Sequence, residues 1–152
     1  MSEPSNDMLD LIKEFNAHEV EYLIVGGHAV NAYTEPRGTK DIDIWVRPEI
    51  ANAHKVFKAL SEFGAPLEGL SVEDFIDEES FFIIGIKPNR IDILKKIPGL
   101  EFARAYQNRK TFSLNDVRAL FLSLDDLILA KQTSARPQDI ADVEKLKKAK
   151  KS

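Results

Sequence analysis

Apolar positions along the chain follow two periods, and the switches between them divide it into alternating helices and strands. Met8, Leu9, Leu11, Ile12 and Phe15 recur at helical spacing, which predicts an amphipathic helix over Asp7 to His18 that packs on a sheet. Tyr22 to Val25 is a short apolar run ended by Gly26-Gly27, and helix-compatible residues resume from Ala29 to Tyr33. The pattern is strand, glycine turn, helix. Past the turn-like Glu35-Pro36-Arg37-Gly38, the run Thr39 to Val46 alternates polar and apolar as a strand does. Pro48 then stands at the first position of a helix over Glu49 to Phe63.

An acid-rich loop from Gly64 to Ser80 follows. Phe81 to Ile86, the turn Lys87-Pro88-Asn89-Arg90 and Ile91 to Leu94 together predict two adjacent antiparallel strands. Gly99 to Leu114 carries little pattern, with a short helix near Phe102 and a strand near Phe112, and Val117 to Leu122 is a further apolar run. Ser123 is placed to cap a helix over Leu124 to Ser134, and Pro137 opens a last helix that runs into the lysine-rich end. These elements predict a mixed α/β (α+β) protein with a small mixed sheet of about four or five strands, flanked by helices and closed by a C-terminal helix pair. The expected boundaries are a disordered segment 1–6, one domain over 7–149 (core 20–123, C-terminal helices 124–149) and a basic tail 150–152.

A length of 152 residues, 43% of them apolar and 30% charged, suits one globular domain with its own core. No stretch approaches the roughly 20 consecutive apolar residues of a membrane span, and the first residues are acidic and polar. A cytoplasmic protein without a membrane partner is therefore expected. The absence of cysteine excludes disulfides, thiol nucleophiles and cysteine-ligated zinc or iron–sulfur centres. A net charge of −4 weighs against a surface that grips a phosphate backbone throughout. Local basic clusters at Lys87 to Lys96, Arg104 to Lys110 and Lys145 to Lys151 leave phosphate contacts open, although a solvated face or a fraying helix end is the plainer reading of each.

The chemistry concentrates in Asp41-Ile42-Asp43-Ile44-Trp45. The strand period of two puts both carboxylates on one face, roughly 6.5–7 Å apart along the chain. Like charges at that separation repel by about 2.4 kcal/mol at an effective dielectric of 20, so the pair calls for water or a cation. Magnesium or manganese, which prefer carboxylate, phosphate and water oxygens, would answer that need. The plainer alternative is an edge strand whose acids face solvent. Asp92 is a third carboxylate within an apolar strand, where burial without a partner would be costly; a structural salt bridge to Arg90 or a lysine is its alternative. Gly26-Gly27, between a strand and a helix, is either a seat for phosphate at the positive helix end or an ordinary tight turn.

On these residues the chain resembles the nucleotidyltransferases of the DNA polymerase beta-like superfamily, whose signature is a glycine pair, about a dozen residues and then Asp-x-Asp. Gly26-Gly27 and Asp41-Ile42-Asp43 match it, and Asp92 within NRIDIL matches the third acid on a later strand. Arg37-Gly38-Thr39-Lys40 is similar to the branch that includes abortive-infection and toxin–antitoxin nucleotidyltransferases. Lys131, Arg136, Asp139 and Asp142 in KQTSARPQDIAD resemble that branch's last motif, although ion pairs on packed helices explain them equally well. His28 follows the glycines where a small residue such as serine is common; a structural role is the plainer reading of this histidine.

The resemblance implies a nucleotidyltransferase fold and a divalent metal held by Asp41, Asp43 and Asp92. It further implies an NTP bound by Gly26, Gly27, Arg37, Thr39, Lys131 and Asp139, and transfer of a nucleotide to an acceptor hydroxyl. The acceptor is a tRNA, a partner protein or a small molecule, and the setting a toxin–antitoxin or phage-defence system in which a toxin or antitoxin protein is the partner. A binding module that keeps the fold without turnover, and a metal-dependent nuclease, are the rivals. Each enzymatic reading requires side chains some fifty positions apart to gather. Asp92 turned away from the other acids, or locked onto a basic residue across the sheet, would remove that basis.

Overall fold

The computed structural model describes residues 5–35, 41–80, 82–85 and 89–151. Ser5 caps the first helix, α1 (Asn6–Ala17), by accepting the Met8 N–H on its hydroxyl, and the apolar stripe read from the sequence is the buried face of that helix. β1 (Tyr22–Val25) is buried at every position and leads directly into α2 (Gly26–Tyr33). No separate turn intervenes: Gly26 bends the chain at φ +71° and is itself the first residue of the helix. β2 (Ile42–Val46) is shorter than the run that predicts it. α3 (Ile50–Phe63) is entered through Glu49 rather than Pro48 and ends on Gly64 at φ +96°.

The acid-rich loop contains a single 3-10 turn, Val72–Phe75, which inserts Phe75 into the core. β3 (Phe82–Ile84) and β4 (Ile91–Leu94) are antiparallel, as expected; the turn expected at Lys87-Pro88 lies outside the described residues. The stretch with little pattern resolves into α4 (Phe102–Gln107) and β5 (Lys110–Leu114), followed by β6 (Val117–Phe121). α5 (Leu124–Ser134) is capped by the Ser123 hydroxyl, which accepts the Asp126 N–H, and α6 (Pro137–Lys151) stays helical through residues expected to form a tail.

One six-stranded mixed sheet has the order β3-β4-β2-β1-β6-β5, one strand more than the upper expectation, with β5 being the strand expected near Phe112. β2 runs antiparallel to β1 and parallel to β4, so α3 and β3 lie within the crossover that brings β4 beside β2. α1 packs on α3 and β6, α2 packs on β1 and β2, and α5 and α6 pack on each other and against α2. Trp45 is core, meeting Phe102 edge to face with ring centroids 5.0 Å apart. Asn52 ties three segments together: its side chain accepts the Glu21 N–H at 2.8 Å and donates to the carbonyls of Glu21 and Arg47 at 3.0 and 3.1 Å. No helix among the described residues is long and apolar enough to cross a membrane.

Candidate active site

The sheet order places the acids. Asp43 is paired in register with Val25 on one side and with Asp92 on the other, so it sits between the end of β1 and the middle of β4. Directly opposed residues on neighbouring strands project to one face with backbones about 4.8 Å apart, within reach of a shared oxygen-binding ion. Asp41, just before β2, accepts the Arg90 backbone N–H on Oδ1 at 2.8 Å, which pins the start of β2 to the start of β4.

The glycine bend belongs to the same place. A Cβ on Gly26 would overlap the Asp43 carboxylate at Oδ2, so absence of a side chain is required here by both the positive φ and the close approach of the acid. The opening of α2 and the Asp43 carboxylate are thus in contact across the β1–β2 pair, a proximity that sequence spacing alone does not reveal. His28, in the first turn of α2, is buried, and its Nε2 has no hydrogen-bond partner among the described residues. Burial lowers its pKa, against the pull of the nearby Asp41 charge.

Asp43 is electrostatically loaded. Burial first, then the charges of Asp92 and Asp41, push its pKa up to about 6, while Lys131 and Arg90 oppose the rise. Asp92 is engaged from the residue just ahead of its own strand: Arg90 Nε donates to Oδ1 at 2.8 Å and Nη2 to Oδ2 at 3.0 Å, a two-pronged fork. The salt-bridge alternative for Asp92 is therefore realised. The arginine reaches it along β4 rather than across the sheet, and Asp92 keeps its place opposite Asp43. Among the described residues no three acid or histidine side chains already stand close enough to enclose a cation.

The C-terminal helices supply the cationic wall. Lys131 on α5 lies 3.2 Å from both Asp139 Oδ1 and Asp142 Oδ2. Asp139 also accepts from the Ser134 hydroxyl and, at 2.9 Å, from Arg136 Nε. Burial alone would raise the Asp139 carboxyl, but the donors of Arg136, Ser134 and Lys131 outweigh it and hold it well below the usual carboxylate range. The ion pairs on packed helices offered as the alternative reading are thus present, and both aspartates are at most 1% exposed, so they are buried rather than at the surface. Gly26, Asp43, Lys131, Ser134, Arg136 and Asp139 line one cleft of about 220 Å³ with an apolar floor from Leu94, Ile97 and Leu127.

Of the residues singled out from sequence, Gly26, Asp43, Lys131 and Asp139 share this cleft, with Asp92 and Asp41 beside Asp43; Arg37 and Thr39 lie outside the described residues. Ser134 escaped sequence reading because its role depends on how α5 meets α6. The Arg90–Asp92 pair is the salt bridge that the sequence already offered as the alternative for Asp92.

A family model described as nucleotidyltransferase of unknown function, DUF6036, matches residues 6–150. The chain belongs to this nucleotidyltransferase family. Among solved structures, the chain is similar to the lincosamide antibiotic adenylyltransferase LnuA with lincomycin bound, at 17% identity and a TM-score of 0.60, covering 94% of this chain and 96% of that one. It is similar to a candidate nucleotidyltransferase of Thermotoga maritima at 15% identity and a TM-score of 0.59, over 89% of this chain and 86% of that one. It is also similar to an antigenic nucleotidyltransferase-like protein of Paracoccidioides brasiliensis at 16% identity and a TM-score of 0.55, over 93% and 76% of the two chains. At these identities the likeness establishes the shared nucleotidyltransferase fold. None of the curated proteins matches the sequence.

Proposed function

We propose that this member of the DUF6036 family transfers a nucleoside monophosphate from an NTP to an acceptor hydroxyl, with a divalent ion held by Asp43 and Asp92 and by Asp41 at the edge of the pair. The observation that carries this reading is the position of Asp43, in contact with the glycine bend of α2, opposite Asp92, and within the field of Lys131. The donor set suits magnesium or manganese, being all oxygen, and the raised Asp43 pKa marks a group of acids short of positive charge. The bound ion would supply charge neutralisation on the triphosphate and on the developing oxyanion.

The chain's own groups do the rest. The first N–H groups of α2 at Gly26 and Gly27 face anionic phosphate at the positive helix end. Lys131, steadied by Asp139 and Asp142, offers a fixed ammonium beside Asp43 for charge that builds on the departing pyrophosphate. The acceptor oxygen bonds to the α-phosphorus as the bond to the β-phosphate oxygen breaks, and pyrophosphate leaves. Asp92 accepts the hydroxyl proton once its oxygens are released from the Arg90 fork. Arg37 and Thr39 stay in the proposal as phosphate contacts on sequence grounds alone.

The acceptor is a tRNA end, a protein hydroxyl on a toxin or antitoxin partner, or a small hydroxyl compound, and a toxin–antitoxin or phage-defence setting is our first choice. The test is incubation with each of ATP, CTP, GTP and UTP labelled at the α-phosphate, with magnesium or manganese, total RNA, cell protein and hydroxyl-bearing antibiotics. Label transfer that disappears with Asp43→Asn supports the reading. No transfer from any nucleotide, together with no rise in melting temperature on adding magnesium and NTP, would leave a catalytically silent binding module.

A further inference from the structure

We propose that Arg90 is a resident counter-cation of the acid site that must be exchanged for the divalent ion at Asp92, and that it thereby sets the site's affinity for metal. The inference rests on the metal-dependent reading above and deepens it.

One residue serves two of the three acids. The Arg90 backbone N–H is bonded to Asp41, and its guanidinium forks onto both oxygens of Asp92. A carboxylate has about four lone-pair sites on its two oxygens, and a fork occupies one on each, side by side. A hard divalent ion seeks those same oxygens, so guanidinium and ion compete for Asp92 and repel each other when both are near. The two partners differ in freedom: the Arg90 side chain is 31% exposed and the Asp92 side chain 12%. The arginine can therefore leave into solvent while the acid stays in place opposite Asp43. Before exchange, the fork relieves the repulsion among Asp41, Asp43 and Asp92, whose charges all act on Arg90. After exchange, the ion takes over that task and the guanidinium is free beside the site.

An arginine that merely braces β4 would affect stability and leave metal affinity alone, so the decisive measurement is calorimetric titration of the full chain with Mn²⁺ in the absence of nucleotide. Arg90→Gln should bind Mn²⁺ about tenfold more tightly than wild type, the order of one unit charge acting on a divalent ion a few ångströms away in water. Its metal-free melting temperature should fall, and the gap to wild type should close at saturating Mn²⁺. Arg90→Lys keeps the charge without the fork and should fall between the two; it also keeps the test open should the glutamine variant fail to fold. Equal or weaker Mn²⁺ binding by both variants, with wild type binding normally and Asp43→Asn not, would overturn the exchange and leave the metal site standing. Wild type that takes up no Mn²⁺ would overturn the metal site, and the exchange with it.

Discussion

Asp43 should make the metal-free protein less stable than it need be, and removing its charge should show by how much. Its carboxyl is raised from an ordinary value of 3.8 to about 6 in the folded protein, by burial first and then by Asp92 and Asp41. Between those values the folded state holds a proton that the unfolded chain releases, so this group's contribution declines as pH rises through that window. Above it, the ionised carboxylate costs about two pK units at about 1.36 kcal/mol each, or about 3 kcal/mol. An asparagine in its place would have the same shape and no charge. Asp43→Asn should therefore match wild type near pH 4 and exceed it by up to about 3 kcal/mol at pH 8, which for a chain of this size raises the melting temperature by about 6–12 °C. Urea unfolding at pH 4, 6 and 8 measures the difference. Magnesium with NTP should reverse the order, because wild type gains a ligand that the variant cannot hold. A variant less stable than wild type at pH 8, or a difference that does not change with pH, would refute the electrostatic account of this site.

Gly26→Ala should lose about 2–4 kcal/mol in denaturant unfolding, from the left-handed backbone and from overlap with Asp43, and should weaken Mn²⁺ binding because the acid is displaced. Lys131→Met should cost about 3–5 kcal/mol by leaving Asp139 and Asp142 buried without their shared cation, and a loss under about 1 kcal/mol would show that the pair is not held by this charge. The lowered pKa of Asp139 stabilises the fold above the unfolded value and is lost as pH falls below about 4; Asp139→Asn should flatten that acid limb of the stability profile. Asn52→Ala should cost about 1–3 kcal/mol, since it strands the Glu21 N–H beneath α3 while the carbonyls of Glu21 and Arg47 keep backbone donors, and thermal melts would detect it.

What could be read from the sequence follows the range of the forces involved. β1, β4 and α5 appear at the residues that their apolar runs and the Ser123 cap indicate, because propensity, period and capping act within a few positions. β5, Lys110–Leu114, was faint: its residues are half-buried or exposed at the sheet edge, so burial imposed no strong alternation. Phe75 was hidden in an acidic loop because its burial depends on Phe57 and Phe82, which reach it from α3 and β3. The Gly26-Gly27 bend was legible as a bend, but its contact with Asp43 needed the β1–β2 pairing. Likewise Lys131 and Asp139 were candidates from sequence, whereas the full burial of the ion pair required the packing of α5 on α6.

The convergence of acids from two distant stretches has a cause in the core rather than in the acids. β2 and β4 carry the same tripeptide, Ile-Asp-Ile, at 42–44 and 91–93, and pair in parallel so that each isoleucine meets an isoleucine and Asp43 meets Asp92. All four isoleucines are buried. A slip of β4 by one residue would turn Ile91 and Ile93 out of the core and Asp92 into it, at about 1.5–3 kcal/mol for each isoleucine and more for the charge. Hydrophobic burial thus excludes the one-residue slips and puts both carboxylates on the same face, and it more than offsets the repulsion that arrangement creates. The acids share a face because the isoleucines beside them take the other, and Arg90, just ahead of β4, forks onto Asp92 and answers part of the resulting charge.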